Sequence, residues 1–211
     1  VDGTYEGQPL RKAKQTEVLF SEFTSNSYSW SSDFKGKDFR IDLKRFIAHA
    51  EATFVADPQG ESYLKIVEAA GGEGHEHYLK SGATENFHGL PISLNNPTEG
   101  AINLQITPEG SYIHTPYMGS YMTMGDQKVF EVAKDSMQPL QYRCLYNIGG
   151  MRFVLPEPMQ KGKMVMTSIP EKKQNAGDLS ALVMAITCEG ETKEVEVIGR
   201  RDEINPPSSA A

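Results

Sequence analysis

INLQITPEGSYIH, residues 102–114, alternates apolar and polar positions on either side of a turn that contains proline and glycine. Ile102, Leu104 and Ile106 share one face of an extended chain. Pro108, Glu109 and Gly110 break the run, and Tyr112 and His114 then alternate with Ser111 and Ile113. Successive side chains of a strand point to opposite faces, so a period of two on both sides of such a turn predicts a β-hairpin. The pattern recurs outward from there. ALVMAITC (181–188), Glu189–Gly190 and ETKEVEVIG (191–199) form a second hairpin, with Val195 and Val197 on one face of the outer strand and Glu194 and Glu196 on the other. YLKIVEAAGGEGHEHYLKSG (63–82) forms a third: Tyr63, Leu64, Ile66 and Val67 lead out, a loop runs from Ala69 to Gly74, and His75 to Lys80 return.

Further strands are expected at Lys14–Phe23, Phe39–Leu43, Leu90–Leu94, Tyr117–Met124, Gln141–Tyr146, Met151–Leu155 and Lys163–Thr167, punctuated at short intervals by glycine and proline. LKRFIAHAEATF (43–54) sets Leu43, Phe46, Ile47, Ala50 and Phe54 at helical spacing, while Phe39, Ile41 and Leu43 alternate; it reads as a bulged strand. YNIGGMRFVLPEP (146–158) reads as an edge segment: Gly149 and Gly150 turn the chain, Phe153 and Leu155 share a face, and Pro156 and Pro158 end pairing. SNSYSWSS, around Trp30, reads as a polar loop. The fold class is therefore all-β with little helix, an antiparallel β-sandwich or barrel-like domain. It occupies residues 1–204, as one domain or two packed β subdomains, and 205–211 form a proline- and serine-rich tail.

At 211 residues, 38% hydrophobic and 23% charged, the composition is that of a globular protein. Apolar runs fall short of the roughly 18 residues that a membrane-spanning helix needs. A net charge of −7 argues against a nucleic-acid partner, which would draw on clustered Lys and Arg. The basic clusters Arg11, Lys12, Lys14 and Lys161, Lys163, Lys172, Lys173 read as solvated faces. The chain begins at Val1 without a hydrophobic signal core, as a piece of something longer does.

Chemistry-bearing motifs are few. His75 and His77, at i and i+2 on a strand, share a face and are the nearest approach to a ligand pair for a metal or haem. A site needs third and fourth ligands. His49, His88 and His114 carry no spacing that supplies them, Glu73 is near in sequence, and Glu76 points to the opposite face, so polar teeth on a hairpin are expected instead. Cys144 and Cys188 both fall in expected strands, and a bridge or two buried thiols are equally compatible with that placement. The absence of CxxC removes the zinc knuckle, the dithiol redox pair and covalent haem attachment; GxSxG and GxGxxG are absent too. Met118, Met122, Met124 and Met164, Met166 recur at even spacing, and are expected to fill a core before lining a partner groove.

ESYLKIVEAAGGEGHEHYLKSG, NNPTEGAINL and KDSMQPLQYRCLYNIGGMRFVLPEP together resemble the extracytoplasmic domain of the ResB (CcsB) family of cytochrome c biogenesis proteins. The resemblance is to the type in which the ResB half is fused to a CcsA-type haem-handling half, and it covers residues from about Gly3 to Gly199. It implies a membrane-anchored parent on the periplasmic side of the inner membrane, with apocytochrome c and the CcsA-type half as partners. The family's haem-ligating histidines and tryptophan-rich motif lie outside the part that this chain resembles. The expected role is thus a scaffold that holds apocytochrome or the haem-handling half in position, with no cofactor of its own and no catalytic residue in this domain. The alternative is an extracellular β-sandwich module that binds protein or glycan, with Trp30, Tyr117 and Tyr121 as groove aromatics.

Overall fold

Alternating sequences of this kind leave the backbone no route to satisfaction except strand pairing, and pairing dominates the computed structural model, which describes residues 4–5, 8–9, 20–34, 36–70, 73–175 and 177–200. The strands are β1 Thr4–Tyr5, β2 Gln8–Pro9, β3 Ser29–Phe34, β4 Lys37–Ala70, β5 Glu73–Lys80, β6 Thr84–Phe87, β7 Leu90–Leu94, β8 Ile102–Thr107, β9 Gly110–His114 and β10 Gly119–Thr123. They continue with β11 Val129–Val132, β12 Gln138–Pro139, β13 Cys144–Ile148, β14 Met151–Val154, β15 Gln160–Ser168, β16 Leu179–Cys188 and β17 Glu191–Arg200. The helical content among the described residues is one 3₁₀ turn, Glu171–Lys173.

The chain divides into two compact units, residues 1–53 with 165–211, and the inserted segment 54–164. In the first unit, β4 pairs with β3 on one side and with β16 on the other, and β16 pairs with β17. Register shifts between Leu179 and Ala181 and between Val183 and Met184 mark the bulging expected of LKRFIAHAEATF, which is strand and not helix. Ser29–Phe34, expected as a loop, is strand β3; Trp30 sits opposite Ile41 and meets Phe39 edge to face at 6.0 Å, which gives the serine-flanked ring an apolar partner. The core is small: Ile47, Ala50, Met166 and Ala181. Of the strand expected at Lys14–Phe23, residues 14–19 lie outside the described residues, and 20–23 form an irregular turn held by Asn26 Nδ2, which donates to the Ser21 carbonyl at 2.7 Å.

The second unit carries two sheets. One runs β5–β4–β14–β13–β10–β11 and the other β6–β7–β8–β9–β12. Their inner faces enclose a core that includes Leu64, Ile66, Leu79, Ile92, Leu104 and Phe153, the layering of a β-sandwich. Pairing is antiparallel except between β7 and β8, which run parallel with Ile92 opposite Ile102. That link is short for a parallel connection, and the NNPTEG sequence explains how it closes. Asn95 accepts from the Ile106 N–H at 2.7 Å and donates to the Ile106 carbonyl at 3.1 Å, so a side-chain amide stands in for a strand neighbour. Asn103 accepts from the Thr98 N–H at 2.7 Å and donates to the carbonyls of Thr98 and Ala101 at 3.0 Å.

The edge expected at Tyr146–Pro158 is corrected. β13 lies between β10 and β14, and β14 lies between β13 and β4, because Tyr146 and Phe153 are large apolar surfaces that an edge would leave half wet. The methionines divide: Met166 is buried, whereas Met118 and Met124 are exposed. Lys161, Lys163, Lys172 and Lys173 are exposed, as their clustering suggested, while Arg11, Lys12 and Lys14 lie outside the described residues. The expected tail, 205–211, also lies outside them. Cys144 and Cys188 are both free thiols, Cys144 buried.

Gly60 and Gly162 let two backbones touch within the second unit. A Cβ on Gly60 would collide with the carbonyl of Gly162, and one on Gly162 with the Phe54 ring and the Val55 carbonyl. Overpacking of this kind costs about 1–3 kcal/mol. Gly60→Ala is therefore expected to lower the unfolding midpoint in urea, whereas Gly125→Ala, where a Cβ meets nothing within 4 Å, leaves it unchanged.

Candidate functional site

Cross-strand neighbours that face each other directly point to the same side of a sheet. In the second unit this rule builds one row from five successive strands: Phe130 opposite Tyr121, Tyr121 opposite Tyr146, Tyr146 opposite Phe153, and Phe153 opposite Glu68 of β4. Phe130 stacks on Tyr121 at 5.1 Å and Tyr146 on Phe153 at 5.2 Å, while Tyr121 and Tyr146 meet tilted by 41° at 5.6 Å. Tyr146 is fully buried, and its hydroxyl accepts from the Gln141 N–H at 2.7 Å and donates to the Gln141 carbonyl at 3.1 Å. Burial pushes its phenol well above the ordinary range, so the ring stays neutral.

The row therefore delivers a carboxylate to the core face. Glu68 is 5% exposed, on the face that also carries Leu64 and Ile66. A buried carboxylate is tolerated only when it is paired or hydrogen-bonded. His88 supplies a partner: its Nδ1–H reaches Glu68 Oε1 at 2.7 Å from the β6–β7 turn, where His88 and Gly89 have φ of 48° and 92°. His77, on β5 opposite Ile66, brings Nε2 to 3.4 Å from Glu68 Oε2 while its ring packs edge-on against Phe87 at 4.8 Å. The angles are wrong for a hydrogen bond, and both Oε2 and Nε2 are buried without a hydrogen-bond partner.

The two histidines singled out in the sequence thus part company. They share a face, as their spacing requires, but His75 is exposed opposite Glu68, and His77 turns into the cluster. His88, for which sequence spacing gave no route to this place, arrives through the β6–β7 turn. The expectation that the pair meets nothing is corrected for His77. Glu76 does point to the other face, where it pairs with Lys65 Nζ at 2.7 Å, a contact that raises the Lys65 ammonium above its ordinary value. Glu68 was missed although its signal is present: in LKIVE it continues the Leu64, Ile66 alternation and so puts an acid where an apolar residue is due.

Chemically, the cluster is a fixed carboxylate flanked by two imidazoles, with one carboxylate oxygen and one imidazole nitrogen buried 3.4 Å apart without a hydrogen bond. No group of three or more His, Cys, Asp or Glu among the described residues is arranged to hold a metal ion. Among the same residues no Ser, Thr or Cys side chain is hydrogen-bonded to His49, His77 or His88. Comparison of the chain with protein-family models, with curated proteins and with solved structures finds no match.

The first unit holds a second imidazole between carboxylates. His49 Nδ1 lies 3.0 Å from Asp178 Oδ2 and Nε2 lies 3.4 Å from Glu22 Oε2, beside a cavity of about 500 Å³ lined also by Arg45, Thr167 and Ser168. The Asn175 N–H, at 2.7 Å from Oδ2, and secondarily His49 hold the Asp178 carboxyl below its ordinary value. His114 stands apart from this group, on β9 of the other unit.

Two outcomes follow. In a double-mutant cycle by urea denaturation, His88→Ala destabilises the protein by about 1 kcal/mol with Glu68 in place and by much less in a Glu68→Gln background; additivity would show that the contact contributes nothing. Because the folded-state value of Asp178 is depressed, its contribution is present above the ordinary carboxyl value and is lost as pH falls through the folded value. Stability measured between about pH 5 and pH 2 should therefore decline more steeply in the wild type than in Asp178→Asn.

Proposed function

We propose that this chain is an extracytoplasmic scaffold domain of a ResB-like cytochrome c biogenesis complex, and that its work is to position apocytochrome c or a CcsA-type haem-handling half at the periplasmic face of the membrane. One observation carries the reading: the three stretches on which the resemblance rests, 61–82, 95–104 and 134–158, all fall within the inserted unit. They supply its β4–β5 hairpin, its parallel crossover and its aromatic strands β13 and β14. The three stretches that carry the resemblance thus belong to one folding unit, which supports reading them together as parts of one domain. The layered β architecture suits a scaffold, since sheet edges and turns offer backbone groups and side chains to an extended partner.

A second reading, a glycan- or protein-binding β module, is supported by a largely apolar cavity of about 470 Å³ in which Asn96, Glu99 and His114 stand beside Pro97, Leu104 and Met137. The aromatics expected to serve it are not among the residues that line this cavity. Tyr117 and Tyr121 pack against the core of the second unit, Tyr117 with its hydroxyl donating to the Gly100 carbonyl at 2.9 Å, and Trp30 belongs to the first unit.

Replacing residues 54–164 by a Gly/Ser linker in the full-length parent should abolish covalent cytochrome c formation while the membrane part still binds haem. Unchanged holocytochrome levels would overturn the scaffold reading. Tight stoichiometric haem or zinc binding by the isolated chain, lost in His77→Ala, would also overturn it, in favour of a ligand site at the Glu68 cluster.

A further inference from the structure

The outer face of β7, β8 and β9 carries a row of polar side chains, Ser93 opposite Asn103 and Asn103 opposite His114. All three line the cavity of about 470 Å³, a volume within the roughly 300–1,000 Å³ of small-molecule sites. Its rim is the loop that carries Glu99, and the floor holds that loop in place. Asn103 accepts from the Thr98 N–H and donates to the carbonyls of Thr98 and Ala101, on both sides of Glu99. Ser93, itself buried, donates to Asn103 Oδ1 at 2.5 Å and so fixes the amide from beneath. A rim held in this way loses little freedom when a ligand arrives.

Three side chains on the wall keep their hydrogen-bonding capacity: among the described residues Glu99, Gln105 and His114 make no hydrogen bond or ion pair. Each offers an acceptor, as carboxylate oxygen, amide oxygen or imidazole nitrogen. Glu99 is the one formal charge among the lining residues, and Pro97, Leu104 and Met137 supply an apolar side. Met137 is 53% exposed, so a stem laid over it removes apolar surface from water. The complement of this wall is one positive charge with three N–H donors and no acceptor, carried on an unbranched apolar stem. We propose that the cavity binds a primary alkylammonium group, its nitrogen at Glu99, Gln105 and His114 and its stem against Pro97, Leu104 and Met137. A lysine side chain of a partner protein and a free aliphatic amine share this chemistry. Arginine does not match it, because a planar guanidinium brings five N–H donors in a rigid fork. A neutral saccharide brings no charge to answer Glu99. The net charge of −7 draws a cation towards the chain. The site narrows the second reading above to one functional group; it does not rest on the biogenesis reading, and its failure leaves that reading as it stands.

The test is a ¹H–¹⁵N NMR titration of the full chain at pH 7. Both n-butylamine and Nα-acetyl-lysine N-methylamide should shift the amide signals of Glu99 and Gln105 and the ring signals of His114. n-Butanol, which lacks the charge, and n-butyltrimethylammonium, which lacks the N–H donors, should bind roughly tenfold more weakly or not at all. Tighter binding of the blocked lysine assigns the site to a partner's lysine, and equal binding assigns it to a free amine; either result fulfils the proposal. Glu99→Gln should weaken butylamine roughly tenfold and Gln105→Leu by a smaller factor, both with unchanged circular dichroism because both side chains are exposed. His77→Ala should leave the affinity unaltered. Equal binding of butanol or of the quaternary amine, shifts centred elsewhere on the chain, full affinity in Glu99→Gln, or no shift at any amine concentration overturns the proposal.

Discussion

The inserted unit is organised around one fixed point, the hydroxyl of Tyr146 locked to both backbone groups of Gln141. A large aromatic ring gains most when fully buried, but a phenol cannot be buried without a partner for its oxygen. Supplying that partner from a residue just before β13 ties the ring to its own chain and leaves both of its faces free for stacking. Tyr121 and Phe153 take those faces, and so the register of β10, β13 and β14 is set by rings. A one-residue slip in any of these strands would turn a ring out to water.

The same row explains why an acid lies inside the sandwich. Once Phe153 fixes β14 against β4, the position opposite it belongs to the core face, and that position is Glu68. Its burial is offset by His88 on one oxygen, while the other oxygen and His77 Nε2 face each other unsatisfied. A buried carboxylate with one oxygen unpaired departs from the usual satisfaction of buried polar groups. The cluster is therefore the best-defined chemical feature of this unit, whichever partner it meets.

Much of the architecture was legible from alternation alone, because a period of two survives any arrangement of strands. The hairpins at 102–114 and 181–199 and the bulged strand through Phe46 were read from that signal. Order within a sheet was not, since it depends on which faces are large enough to demand two neighbours; Tyr146 and Phe153 turned an expected edge into an interior pair. Serine content hid β3, where Trp30 gains its partner from β4 and not from its own segment. At the site, parity placed His75 and His77 on one face and could have flagged Glu68. The arrival of His88 depends on a two-residue turn closing the β6–β7 hairpin, a tertiary outcome without a local periodic trace.

The discontinuity of the first unit has a temporal side. Residues 39–50 of β4 find their long partner only in β16, which leaves the ribosome after the whole inserted unit has been made. At roughly 5–20 residues per second, that interval lasts on the order of ten seconds. During it, one flank of a long nascent strand has no permanent neighbour, while the insertion already holds everything its sandwich needs. Synthesis thus imposes an order, with the inserted unit maturing before the two segments that flank it can join.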